Sequence, residues 1–426
     1  MTLLEKIQAF LGKKQDNIYS LSRYFPKGTA YFYGFPSGED SHFFNAVPPW
    51  VEELVAARTN VCAGNLVKAV NFATTSKKQN LLQELGTPTL GANSRFVIDE
   101  TITAQVTGSE RNRRIKQSLQ SLIPPGTFVM AQPLLGEDFN HLYQFDPQKT
   151  IHLNDKMNRP DYIPAKYLPQ TYCKFENGKK FAEYEWTVPF PSVVKVCSSS
   201  AGDGVRICYT EKDVESAKQD FLHVESTIFL EQFIVPKHNL CIQFGIPADS
   251  TKQIDIIGHN EQLIGSNGQF LGGVVDTTHF IPEVKEIYQV LQDVILPKVR
   301  EMGCYGVGGL DVLITEEGSY YFIDSNFRMT ATFAFVCLTK NKLITRPVLS
   351  FIGSFTGTEA EFRKIILPIA TMGSKEQKLM ILGLSESEGT FRFHGGMFFD
   401  EPTQIKEKAK ALLELGIGSS TLQGLM

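Results

Sequence analysis

Apolar residues fall three and four apart at Val214, Ala217 and Phe221, with Thr210 where an N-cap belongs, so residues 212–222 are predicted to form a short amphipathic helix. A longer helix is predicted over residues 283–302. Its apolar stripe is Val284, Ile287, Leu291, Val294 and Ile295, and Gly303 is its stop. Runs rich in β-branched and aromatic residues at 228–233, 240–246, 254–257 and 310–314 read as strands separated by Gly, Pro or Asn turns. Upstream, Tyr31-Phe32-Tyr33 reads as a strand entering a loop at residues 34–38, and residues 77–85 as a helix stopped by Gly86 and Pro88. The polar run 109–116 and the Pro124-Pro125-Gly126 turn read as surface, followed by a strand at Phe128-Val129-Met130. The chain closes on a predicted strand at 389–393 and a helix at 404–415 before Gly416. Changes of pattern divide it into three regions, 1–145, 146–345 and 346–426, each of mixed α/β character.

At 426 residues the chain has room for two to four domains of about 150 residues. A hydrophobic share of 42 % with 21 % charged residues is globular and excludes a disordered, collagen-like or coiled-coil chain. Forty-two Lys and Arg against 46 Asp and Glu leave a formal charge of −4, too balanced for a phosphate-backbone binder, so no nucleic-acid partner is expected. No apolar run reaches the ~18 residues a membrane span needs, and the amphipathic residues 1–14 lack a small-residue cleavage site. No membrane association and a cytoplasmic location are therefore expected. Seven cysteines, odd in number and without a C-x-x-C pair, argue against a disulfide framework or structural zinc, and for thiols acting as small buried hydrophobes.

Three segments could carry chemistry. In Ser192-Val193-Val194-Lys195-Val196-Cys197, then Ser198-Ser199-Ser200-Ala201-Gly202-Asp203-Gly204, then Val205-Arg206-Ile207-Cys208, a strand, a small-residue loop and a second strand follow one another. Small residues let backbone N–H groups approach phosphate oxygens, and Lys195 stands where an ammonium can neutralise them, although such loops also serve as plain solvent turns. There is no Walker loop. The second segment runs from Gly309-Leu310-Asp311-Val312-Leu313-Ile314 through a turn to Tyr320-Tyr321-Phe322-Ile323-Asp324-Ser325-Asn326-Phe327-Arg328. As an antiparallel hairpin it places Asp311, Asp324, Asn326 and Arg328 on one face, and Val312, Ile314, Tyr321 and Ile323 on the other. Two carboxylates and a carboxamide are an all-oxygen set that suits Mg²⁺, or else a polar face meeting water. In the third, Phe229-Leu230-Glu231-Gln232-Phe233-Ile234, a strand ends with an acid and turns away, as an adenine-facing hinge or a solvated edge does.

Taken in order, the lysine strand with its loop, the acid-bearing strand and the D…D-x-N hairpin resemble the ATP-grasp superfamily over roughly residues 150–340. The resemblance implies an α/β, ATP-grasp fold with an N-terminal pre-ATP-grasp domain and a small C-terminal segment. By it, Lys195 and Lys156, the second of two lysines some forty residues apart, contact ATP phosphates. Ser198, Ser199, Ser200, Ala201, Gly202 and Gly204 close over them. Glu231 and the backbone of Gln232, Phe233 and Ile234 hold adenine; His238 or Asn239 takes the ribose; Asp311, Asp324 and Asn326 carry magnesium; and Arg328 faces the reacting acyl group. The implied activity is ATP-dependent ligation of a small-molecule carboxylate to an amine, an amino acid or peptide, through an acyl phosphate, in a chain that could form a homodimer. Phosphotransfer to a hydroxyl and non-catalytic ATP binding remain alternatives. Both metal acids are Asp where the second is usually Glu, and Gly309 replaces a basic residue common two positions before the first. The outer regions are more loosely similar to peptide ligases of the pheganomycin type.

Overall fold

Three sheets organise the chain. The computed structural model describes residues 18–34, 49–73, 78–91, 95–98, 108–130, 137–199, 202, 204–265, 270–276 and 278–426. The expectations for residues 1–14 and for the loop at 35–38 lie outside these. The first sheet is parallel, in the order β3-β2-β1-β4, from β1 (Ala30–Phe32), β2 (Lys68–Phe72), β3 (Arg95–Ile98) and β4 (Phe128–Met130). Its central strand is buried throughout, as a parallel strand covered on both faces must be. Two helices, Pro49–Cys62 and Gly108–Leu122, belong to this region. The second occupies the run expected to be mere surface. Its charged first turns hide the helical period of Arg111, Ile115 and Leu119, all buried, with Arg111 paired to Glu52 of the first helix.

The second sheet is antiparallel, β5-β8-β6-β7, built from β5 (Thr171–Phe175), β6 (Ser192–Val196), β7 (Val205–Cys208) and β8 (Ile228–Gln232). The predicted helix is observed at Glu211–Phe221, with Thr210 and Asp213 capping each other reciprocally. It buries Val214, Ala217 and Phe221 against Val194, Val196 and Leu230. That leaves the opposite face of the sheet, with Val193, Lys195, Phe229 and Glu231, turned elsewhere.

The third sheet has eight strands: β9 (His238–Ile246), β10 (Asp255–Ile264), β11 (Phe270–Val275), β12 (Gly306–Ile314), β13 (Tyr320–Asn326), β14 (Val348–Thr356), β15 (Leu379–Ser387) and β16 (Thr390–Phe398). The order is β13-β12-β9-β10-β11-β14-β16-β15, so strands from residues 238–326 and 348–398 share one sheet. The helix predicted at 283–302 runs Val284–Val290, a π turn at Leu291–Ile295, then Leu296–Glu301. The wider turn advances the register, so Val294, expected inside, is 45 % exposed, while Ile295, Leu296 and Val299 turn inward. Gly272-Gly273 and Gly395-Gly396 lie inside β11 and β16, where neighbours come too close for a side chain. A Cβ on Gly273 would stand 2.6 Å from Thr332 Cγ2, and one on Gly396 2.5 Å from Phe335 Cε1. Six of the seven cysteines are buried and all are free. Among the described residues no helix is long and apolar enough to cross a membrane.

Candidate active site

The β12–β13 hairpin sets the geometry. Asp311 lies directly opposite Asp324, and Gly309 opposite Asn326, so the three predicted oxygen ligands share a face. Between Asp311 and Val312 the register slips by one, leaving Ile323 as the extra residue. That bulge is why the expected partition fails at the turn end of the hairpin. Tyr320 and Phe322, rather than Tyr321 and Ile323, join Val312 and Ile314 in the core, while the two aspartates stay together outside it. Burial first, and then the Asp324 carboxylate, push the Asp311 carboxyl up to about 7, against hydrogen bonds from Cys241 and Gln262. Cys241 is thus a buried thiol with a polar task, and its own pKa is driven well up by burial and then by Asp311.

The bulge also serves the lysines. As an edge strand β13 turns carbonyls outward, and Lys195 Nζ donates to Ile323 O at 3.1 Å while Arg159 Nη1 donates to Phe322 O at 3.1 Å. Lys195 and Glu231 are diagonal neighbours on adjacent strands, and Lys195 Nζ lies 2.7 Å from Glu231 Oε2. The other oxygen of Glu231 accepts from Arg159 Nη2, closing a buried Arg159–Glu231–Lys195 triad. Burial lowers the Lys195 pKa, partly countered by Glu231. For Glu231 burial acts upward, but Lys195 and Arg159 together hold its carboxyl below the usual range. Lys156 Nζ donates to Ser199 O at 3.2 Å and stands 3.4 Å from Asp324 Oδ2. A phosphate-type lysine, the small-residue loop and a metal-type acid therefore meet at one ammonium.

The remaining predicted residues surround this centre. Ser198 is half-buried and Ser199 buried; Gly202 has φ +84°, and Gly204 packs so tightly on Ser199 that a Cβ would stand 2.4 Å from its Cβ. Ser200 and Ala201 lie outside the described residues. The Glu231 side chain points to its two cations, so contact with a base would fall to the backbone of Gln232, Phe233 and Ile234, which leave β8 at this point. The Gln232 N–H is engaged by Gln170 O at 2.8 Å. Asn239 alternates on β9 with Cys241 and Gln243, on the face of the aspartates, and its Oδ1 is buried without a hydrogen-bond partner. Arg328 is buried and its Nη1 donates to Asn154 Oδ1 at 3.0 Å. The segment after it is sewn to the sheet: Thr330 Oγ1 donates to Gln243 Oε1 at 2.9 Å, and Thr332 Oγ1 to Asn260 Oδ1 at 2.6 Å.

The sequence profile of the family described as L-aspartate–L-methionine ligase, ATP grasp, matches residues 174–326, the segment that carries Lys195, Glu231 and the aspartate hairpin. Over these residues the chain is similar to the ATP-grasp ligases of that family. It is 26 % identical over 161 residues to the 2-oxoglutarate carboxylase small subunit of Hydrogenobacter thermophilus, a match over 36 % of this chain and 32 % of that protein. It is 28 % identical over 179 residues to the D-alanine–D-alanine ligase of Geotalea uraniireducens, over 41 % of this chain and 56 % of that one. The match thus spans from about a third to about half of the length of these relatives. In three dimensions it resembles biotin carboxylase of Campylobacter jejuni, solved as a β,γ-ATP complex, with a TM-score of 0.55, 12 % identity, and 87 % of this chain and 91 % of that one covered.

The donor set on the hairpin fits a magnesium ion. Asp311, Asp324 and Asn326 share one face of the hairpin and together offer a hard-oxygen group. Burial, and then the neighbouring Asp324 carboxylate, raise the Asp311 carboxyl to about 7 against the Lys156 charge. Sequence reasoning missed Arg159, Asn154, Cys241, Gln243, Asn260 and Gln262. Arg159 stands three residues after Lys156, but nothing local marks it as the partner of an acid 72 positions on. The structure explains why Gly309 replaces a basic residue: a Cβ there would lie 2.6 Å from Thr330 Cγ2 and 2.7 Å from Cys241 Sγ. Gly309→Ala is expected to cost about 1–3 kcal/mol by overpacking, read from denaturant midpoints; an unchanged midpoint would contradict this packing.

Proposed function

We propose that the protein is an ATP-dependent ligase that joins a small-molecule carboxylate to an amine, releasing ADP and phosphate. The observation that carries the reading is the meeting of Lys156 with both Ser199 and Asp324, which sets a phosphate-binding loop against a magnesium-type acid pair. The carboxylate oxygen attacks the γ-phosphorus and the bond to ADP breaks. The amine nitrogen then attacks the acyl carbon and phosphate leaves, a proton being lost from nitrogen. Lys195 and Lys156 hold the phosphate oxygens, at positions fixed by Glu231, the bulge carbonyl and Ser199. Ser198, Ser199, Gly202 and Gly204 lie against the phosphates and help keep water from the acyl phosphate. Arg328, oriented by Asn154, faces the acyl oxygen as charge develops on it. Asp311, Asp324 and Asn326 would hold magnesium, which when bound offsets charge on the transferring phosphoryl group.

In this reading residues 1–145 and 346–426 flank a nucleotide-binding region at 146–345 and complete the substrate pockets. The family description points to amino acids as the substrate class. ADP release by the purified protein should require an acid and an amine together. Release driven by an alcohol alone, or none with any pair, would defeat the proposal. Lys195→Ala should weaken nucleotide binding by roughly 10- to 100-fold, the worth of a lost charged hydrogen bond, measured by titration calorimetry with ADP.

A further inference from the structure

Arg58 lies on the helix Pro49–Cys62 and is 4 % exposed. Its guanidinium sits 4.5 Å over the Tyr33 ring, and Nη1 donates to Ala331 O at 3.3 Å. Its Nε has no hydrogen-bond partner, and among the described residues no carboxylate pairs with it. Of the other buried arginines, Arg111 and Arg159 each hold a glutamate, and Arg328 donates to Asn154. A buried cation without a counter-ion is costly, and it is retained where an anion arrives to complete it.

A second polar group nearby is also incompletely used. His394, 3 % exposed, has Nε2 2.9 Å from Ser350 Oγ and Nδ1 without a partner. It pairs with Gly383 in the β15–β16 ladder, where a Cβ would lie 3.2 Å from the Arg58 backbone nitrogen, so the helix crosses the sheet at this level. Burial, and then the Arg58 charge, hold its pKa well below the ordinary value, so it stays a neutral donor or acceptor. The position adjoins the reacting centre. Ala331 follows Arg328 by three residues, a reach of at most about 10 Å, and Tyr31, two residues before Tyr33, accepts from Met329 N at 3.0 Å.

We propose that Arg58 binds the free carboxylate of the amine substrate, so that this substrate is an α-amino acid whose amine is delivered towards Arg328. The inference rests on the ligase reading and adds an anchoring residue from the N-terminal region for the amine substrate. The test is a thermal-shift titration of the full chain with magnesium and a non-hydrolysable ATP analogue. The probes are the twenty L-amino acids, one at a time, and their α-amides. At least one amino acid should raise the midpoint and its amide should not. Arg58→Met should weaken that response about 30-fold, with Arg58→Lys recovering part of it. The shift caused by the nucleotide analogue alone should be the same in Arg58→Met, and the free variant should melt no lower than the parent because an unpaired buried charge is gone. Equal shifts by an acid and its amide, no amino-acid shift in the parent, or an undiminished one in Arg58→Met would each overturn the proposal. A variant that melts lower while keeping its amino-acid response marks a structural arginine and does the same. Loss of the nucleotide shift in the parent would instead strike at the ligase reading itself.

Discussion

Asp324→Ala should reduce ADP release by about a thousandfold or more while changing the dissociation constant for ADP by less than about threefold. The two effects separate because Asp324 has two neighbours. Opposite Asp311 it supplies half of the paired carboxylates, and without it the proposed oxygen ligands are reduced to Asp311 and Asn326. It also stands 3.4 Å from Lys156 Nζ, so its removal releases that ammonium to the phosphates and offsets lost affinity. Release assays with an acid and amine pair, beside calorimetric titration of ADP, read the two quantities independently. Unchanged turnover would remove the aspartate hairpin from the mechanism; lost ADP binding with preserved turnover of the bound fraction would make Asp324 a nucleotide contact. Asn326→Ala should show the same split more weakly, since it takes away a neutral ligand.

How much of this was legible in the sequence depended on how local each cause is. Strand alternation across a short hairpin put Asp311 beside Asp324, and capping at Thr210 with spacing at Val214, Ala217 and Phe221 gave the helix of the second sheet. The bulge at Ile323 was not readable, because a register slip leaves no mark in a run as uniformly apolar as Tyr320-Tyr321-Phe322-Ile323. Neither was the π turn that sends Val294 outward, nor the role of Gly273 and Gly396, whose cause is a neighbour from another part of the chain. The site shows the same division. Lys195 and the small-residue loop stood out, whereas Arg159, Asn154 and the Gln243–Asn260–Thr332 network became visible only once β8, β9, β10 and the segment after β13 were brought together. For Glu231 the sequence suggested a base-facing acid. The fold turns its carboxylate to Lys195, the direction the cross-strand diagonal dictates.

That orientation leads to the largest stability effect. Glu231→Ala should destabilise the protein by about 3–5 kcal/mol, because it leaves Arg159 and Lys195 buried without their shared counter-charge. Glu231→Gln should lose nearly as much, since it keeps the shape but not the charge. Arg159→Met combined with Glu231→Leu should cost less than the sum of the single changes, because the pair is removed together. Shifts in denaturant midpoint with constant m-values check these expectations. The pH dependence has a fixed sign. Glu231 is held below its ordinary value of 4.5, so its contribution is complete above that pH and fades as acid protonates it, while the Gln variant lacks this acid-side loss. Lys195 has the same sign in an alkaline window: its lowered pKa means that the unfolded chain holds the proton more tightly, so stability rises as pH climbs toward 10.5. If Glu231→Ala left the midpoint unmoved, the triad would not be a structural unit, and the placement of Lys195 proposed for the phosphates would need another cause. If the variant is destabilised and also binds ADP more weakly, Glu231 is the residue that aims Lys195, and the adenine contact is left to the backbone of Gln232 to Ile234.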